Sequence, residues 1–249
     1  VQQGYSFDSY SDTEVLITSY IHWGSDCLKH VNGIFAFAIW DEKEKQLFMA
    51  RDPLGVKPLF YTVKEDSLIF GSEIKAILAH PFVEPVVDRE GLTEIFALGP
   101  ARSLGGGIFK DVHEIPPANY LVYNRDGLKL KEYWKLHCEP HKEDVETTAE
   151  HVRTLLVDAI KRQLVADVPV CTFLSGGLDS SAISSVAASE FKKQGKVLNT
   201  YSIDYEDNDK YFKANDFEPT PDRVWALKMS EYINSNHHGI INTSENLAN

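Results

Sequence analysis

The spacing of apolar residues changes character once along this chain. Up to Trp134 they come in short runs set close together. NGIFAFAIWD (Asn32–Asp41) reads as a continuous buried strand, and KQLFMARD (Lys45–Asp52), PLFYTV (Pro58–Val63) and SLIFGSE (Ser67–Glu73) follow at short intervals with turn residues between them. DPLGVKP (Asp52–Pro58) carries two prolines and a glycine and is a loop. SEIKAIL (Ser72–Leu78) predicts a short helix with Ser72 placed to cap it, and TEVLITSYIHW (Thr13–Trp23) a longer one capped by Ser11 or Asp12. From Leu104 to Trp134 the pattern returns to strands, with turns at Pro116-Pro117 and a type I′ turn at Asp126-Gly127. Strands this closely spaced predict a β-sandwich.

Past Trp134 the periodicity lapses and then returns in another form. KLHCEPHKEDVETT is polar and aperiodic, a linker. Val152, Leu155, Leu156, Ala159, Ile160 and Leu164 then fall on one helical stripe. VPVCTFL (Val168–Leu174) is a buried strand. A helix (Ser180–Phe191), a strand (Val197–Tyr205), a helix (Asp222–Ser235) and a strand (His237–Asn242) follow it. Alternating strands and helices imply a parallel sheet with right-handed crossovers, the start of a doubly wound α/β domain. The boundaries that result are a first domain over 1–135, a linker over 136–147 and a second domain over 148–249.

Composition narrows the function classes. The chain has 249 residues, 43% hydrophobic, enough to bury a sizeable core. Its formal net charge of -12 and the lack of a basic patch argue against nucleic acid as a partner. The longest wholly apolar run, Ile34–Trp40, is far too short to span a bilayer, so no membrane association is expected, and no leader-like segment opens the chain. Cys27, Cys138 and Cys171 are odd in number and far apart, which fits a reducing cytoplasm.

The chemistry concentrates in CTFLSGGLDSSAIS, Cys171–Ser184. The stretch passes from strand to loop to helix, at the carboxyl edge of a parallel sheet where ligands bind. Gly176 and Gly177 allow a tight turn and close backbone approach to an anion, and the amides that follow are the unpaired donors of a helix N-terminus. Ser175, Ser180 and Ser181 add hydroxyl groups. A Walker loop would carry a lysine; this loop has none and places Asp179 among its donors. A carboxylate beside phosphates makes chemical sense through Mg²⁺.

SGGLDSS after a buried strand resembles the pyrophosphate loop of the ATP pyrophosphatases, which split ATP between the α and β phosphates and transfer AMP. SDTEV, NGIFAFAIWD, RDPLGVKPLFY, GSEIKAIL and EIPPANYLVY resemble successive landmarks of a class II glutamine amidotransferase domain. Together they are similar to the glutamine-hydrolysing asparagine synthetases, from about Phe7 to Thr243, with the β-lactam synthetases as an alternative of the same architecture. The resemblance implies an Ntn-type αββα sandwich followed by a pyrophosphate-loop α/β domain. It implies glutamine, aspartate and ATP as ligands, Mg²⁺ at Asp179, and β-aspartyl-AMP as the activated intermediate, and it allows a homodimer. By the same resemblance Asp12 binds the amino group of glutamine, Leu174 contacts the nucleotide through its backbone, and Ile203 does so beside the adenine.

Other features stay outside that scheme. Arg51 and Asp52 read as a buried, loop-fixing ion pair, and His137, Cys138 and His141 make only a superficial metal motif. The family's nucleophile is an N-terminal cysteine whose own α-amino group is the base; Val1 stands here, so no catalytic residue is assigned. Cys171, inside a strand, is expected to be buried and inert. The chain is expected to be an internal fragment of a longer protein, inactive by itself; a non-catalytic nucleotide-binding module is the other alternative.

Overall fold

The structure, a computed structural model, describes residues 4–99, 101–216 and 220–243. The chain forms two compact units, Val1–Glu139 and Pro140–Asn249.

The first unit opens with helix α1 (Asp12–Trp23). Ser11 is its cap: the hydroxyl accepts from the Thr13 amide at 3.2 Å. Glu14 accepts from the Asp8 and Ser9 amides at 2.9 and 2.8 Å and so holds the entering chain. Strands β1 (Ala36–Asp41), β2 (Gln46–Arg51), β3 (Phe60–Lys64) and β4 (Ser67–Gly71) follow, then helices α2 (Ile74–Leu78) and α3 (Arg89–Thr93). The unit continues with β5 (His113–Glu114), β6 (Asn119–Asn124) and β7 (Gly127–Glu132). Two antiparallel sheets result, in the orders β1-β2-β6-β7 and β4-β3-β5.

The alternation of each strand decides its layer. Phe48 and Ala50 of β2 turn to Tyr20 of α1 and to Cys27 and Leu28. Met49 and Leu121, on the opposite faces of β2 and β6, pack with Tyr61 of β3 and Leu68 of β4. Phe60 and Ile69, on the far side of the second sheet, meet Ile77 of α2. The layers are therefore helix, sheet, sheet, helix.

Several sequence expectations are corrected here. NGIFAFAIWD becomes regular only at Ala36, and β1 is an edge strand whose Trp40 is 56% exposed rather than a buried one. An edge strand lacks a neighbour on one side, so an apolar run there is covered only in part. Ser72 is not a cap: α2 starts at Ile74, and Glu73 occupies the cap position without a side-chain bond. The hairpin between β6 and β7 is not type I′, because Arg125 and Asp126 both keep negative φ and only Gly127 is positive, at φ 103°. Asn124 Oδ1 accepting from the Asp126 amide at 2.9 Å favours that ordinary turn.

The second unit contains α4 (Val145–Gln163), β8 (Cys171–Phe173), α5 (Leu178–Lys193), β9 (Asn199–Tyr205), α6 (Asn208–Tyr211), α7 (Asp222–Ile233) and β10 (Asn236–Asn242). Its strands are parallel, in the order β10-β9-β8, as the alternating pattern predicts. One face of this sheet is tied to its helices by small polar groups. Thr172 and Ser184, both buried, join β8 to α5 at 2.8 Å, and Thr200 bonds Ser235 at 3.0 Å and His237 at 2.9 Å. The other face is open among the described residues. Cys171 is accordingly exposed rather than buried, as is Phe173. The α4 stripe is buried at Ile160 and half-buried at Leu164, while Leu155 stays 70% exposed.

Candidate functional site

The loop after β8 is built by its neighbours. Leu174 is fully buried, and its amide donates to the Tyr201 carbonyl at 2.7 Å, extending the parallel ladder one residue past β8. The chain then turns at Gly176, φ +89°, and enters α5 with Gly177 as its cap residue. Because glycine has no side chain to offer, the first-turn amides of α5 receive no side-chain cap. The Thr172–Ser184 bond clamps the strand before the loop to the second turn of the helix after it.

Ser175 and Ser180 close the loop on itself. Their hydroxyl oxygens lie 3.0 Å apart, the Ser175 amide donates to Ser180 Oγ at 3.2 Å, and Ser180 Oγ donates to the Gly177 carbonyl at 3.2 Å. Ser175 Oγ also accepts from the Gly177 amide at 3.3 Å. These two hydroxyls fix the shape of the loop. The Ser181 amide continues the helix ladder to the Gly177 carbonyl at 3.1 Å, and its side chain is half-buried. Asp179 is exposed in the first helical turn and makes no hydrogen bond or ion pair among the described residues. A free carboxylate beside uncapped amides suits a divalent cation held jointly with phosphate oxygens, which needs few protein ligands.

Ile203 lies on β9 just past the level of Leu174, 54% exposed and paired with Ile240. The fold thus brings Leu174, Ser175, Gly176, Gly177, Asp179, Ser180, Ser181 and Ile203 to one carboxyl edge. Asp12 lies in the first unit, exposed at the start of α1; its Oδ1 accepts only a long bond of 3.4 Å from Thr13 Oγ1. Val1, where the nucleophile was sought, lies outside the described residues. Cys27 is fully enclosed, and burial pushes its thiol up to about 11, which leaves it protonated at neutral pH.

Arg51 and Asp52 prove to be scaffold, though not paired with each other. Arg51 Nη1 is 2.9 Å from Glu114 Oε1, and the guanidinium donates to the carbonyls of Gly55, Lys57 and Ile115 at 2.7–2.8 Å. Asp52 accepts from the amides of Leu54, Val56 and Lys57.

The sequence reading missed Thr172, Ser184 and the backing of Gly176 by Trp225 and Ala226 of α7. The signal for the first pair was a lone hydroxyl residue inside an otherwise apolar strand. For the second there was none, since it depends on a helix some fifty residues away.

The family model for the glutamine amidotransferase domain matches residues 1–134. The chain belongs to the glutamine amidotransferase domain family. A second family model, described as asparagine synthase, matches residues 151–249. Asparagine synthetase [glutamine-hydrolyzing] 3 of Bacillus subtilis (strain 168) is 56% identical over 246 residues, 98% of this chain and 40% of that protein. Asparagine synthetase [glutamine-hydrolyzing] 1 of the same organism is 36% identical over 208 residues, 82% of this chain and 32% of that one. The chain therefore spans two fifths or less of the length of these curated relatives. Among solved structures, glutamine phosphoribosylpyrophosphate amidotransferase from B. subtilis aligns at 16% identity and a TM-score of 0.38, over 96% of this chain and 56% of that one. No helix among the described residues is long and apolar enough to cross a membrane.

Proposed function

We propose that this chain serves the ATP-dependent synthesis of asparagine from aspartate, with glutamine as the nitrogen donor. The observation that carries the reading is the 56% identity, continuous across both units, to a relative named as a glutamine-hydrolysing asparagine synthetase. The geometry of the loop supports it. An aspartate side-chain oxygen would attack the α-phosphorus of ATP, forming β-aspartyl-AMP and releasing pyrophosphate. Ammonia from glutamine would then attack the acyl carbon, and AMP would leave with the electron pair of the broken C–O bond. The uncapped α5 amides and the preset Ser175–Ser180 cradle suit the departing pyrophosphate. Asp179 would hold Mg²⁺, whose positive charge would offset the phosphates; its exposed carboxylate, unbonded among the described residues, supports this. Leu174 and Ile203 would contact the nucleotide through their backbone; their place on the two strands beside the loop supports this.

In the full-length protein, Asp179→Ala is expected to lower aspartate-dependent ATP–pyrophosphate exchange by roughly tenfold or more while sparing glutamine hydrolysis. Unchanged exchange would remove Asp179 and the loop from the reaction. For the first unit, Asp12 is proposed to bind the glutamine ammonium. Its exposed carboxylate has no strong partner to displace among the described residues. Asp12→Asn should raise the KM for glutamine about tenfold and leave ammonia-dependent synthesis intact. A parallel fall in both activities would make Asp12 structural.

A further inference from the structure

The loop has no lysine of its own, yet the fold sets an arginine beside it. Gly176 is backed by α7 so closely that a Cβ there would stand 2.6 Å from the Ala226 amide nitrogen and 2.6 Å from Trp225 Cβ. Ala226 and Ser230 form the buried face of α7. Arg223 precedes Ala226 by three residues and so shares the face turned to Gly176, one turn nearer the helix N-terminus. That N-terminus lies at the carboxyl edge of the sheet, because α7 carries the chain back from β9 to the parallel strand β10.

Phe173 pairs with Tyr201, and Asp204 lies three residues further along β9, beyond the level at which the neighbouring chain leaves the ladder for the loop. Arg223 is held near Asp204: its Nη1 lies 3.9 Å from Asp204 Oδ2, beyond hydrogen-bond reach, with the side chain half-exposed. Asp204 is itself anchored, its Oδ1 accepting from the Tyr205 amide at 2.9 Å and from Asn208 Nδ2 at 2.8 Å. Lys228, further along α7, lies over the Trp225 ring, 4.4 Å from its centroid. Arg223 is thus a cation on a loose tether next to an anion cradle that lacks one.

We propose that Arg223 supplies the missing positive charge: it rests against Asp204 in the free protein and moves its guanidinium onto the oxygens of a pyrophosphate group seated at Ser175–Ser181. The assignment rests on the reading of that loop as the pyrophosphate site. A guanidinium can meet two phosphate oxygens at once, a stronger contact than the long one it leaves.

Calorimetric titration of the 249-residue chain with inorganic pyrophosphate and Mg²⁺ tests it. Arg223→Ala is expected to weaken binding about tenfold, with Arg223→Lys in between because charge is kept and the fork is lost. Asp204→Asn is expected to tighten binding roughly threefold, since it frees the guanidinium; a merely structural pair would not do this. Thermal melts of each variant separate weakened binding from lost fold, and Arg223→Lys remains informative if Arg223→Ala does not fold. Unchanged affinity in Arg223→Ala or Arg223→Lys, or weakened affinity in Asp204→Asn, overturns the role of Arg223 and leaves the loop standing. No binding by the unsubstituted chain overturns the loop reading and this proposal with it.

Discussion

Gly176→Ala is expected to destabilise the second unit by about 3 kcal/mol, whereas Gly177→Ala, one residue on, should change its stability by less than about 1 kcal/mol. The two glycines are equivalent in sequence and opposite in circumstance. Gly176 sits at φ +89°, a conformation that disfavours any Cβ, and that Cβ would run into the α7 backbone at 2.6–2.8 Å. Backbone does not rotate aside, so α7 must shift or the loop must open. Gly177 has φ -70°, and its Cβ would meet only Ser175 Oγ at 3.5 Å, an ordinary contact. Scanning calorimetry should place the melting of the second unit roughly 10 °C lower in Gly176→Ala. Pyrophosphate binding should go with it, because the amides lose their common direction. A Gly176→Ala protein that melts within about 2 °C of the original would show that α7 does not confine the loop.

Asp52→Ala should destabilise the first unit by about 3–5 kcal/mol, a large part of the 5–15 kcal/mol that usually holds a domain together. Asp52 is 1% exposed, and one carboxylate serves three amides: Leu54 at 3.2 Å, Val56 at 2.9 Å and Lys57 at 2.9 Å. Its loss leaves those donors unpaired in a loop that also carries the carbonyls held by Arg51. Asp52→Asn should fall between, about 2 kcal/mol, because an amide keeps one oxygen for Leu54 and Val56 but turns a donor towards the Lys57 amide. Urea denaturation followed by a probe in the first unit gives the ordering. Equal midpoints for Asp52→Ala and the original protein would mean that water replaces the carboxylate without loss.

Much of this protein was fixed by sequence alone. The short apolar runs set off by turn residues assigned β2, β3, β4, β6 and β7 to strands, because run length and turn chemistry are local properties of the chain. The strand-glycine-helix pattern at Cys171–Ser184 located the turn between β8 and α5, because a tight turn and uncapped amides follow from residue type and order. Tertiary structure decided what depends on distant partners. Whether an apolar run is buried depends on what covers it: β1 lies at an edge, and Cys171 and the α4 stripe face outward, where hydropathy predicted burial. The ion partner of Arg51 is Glu114, sixty-three residues away, rather than its neighbour Asp52, whose carboxylate is taken by the amides of its own loop. The different demands on Gly176 and Gly177, and the cation that α7 brings to the loop, arise from the βαβ crossover. That crossover joins segments whose proximity no local pattern encodes.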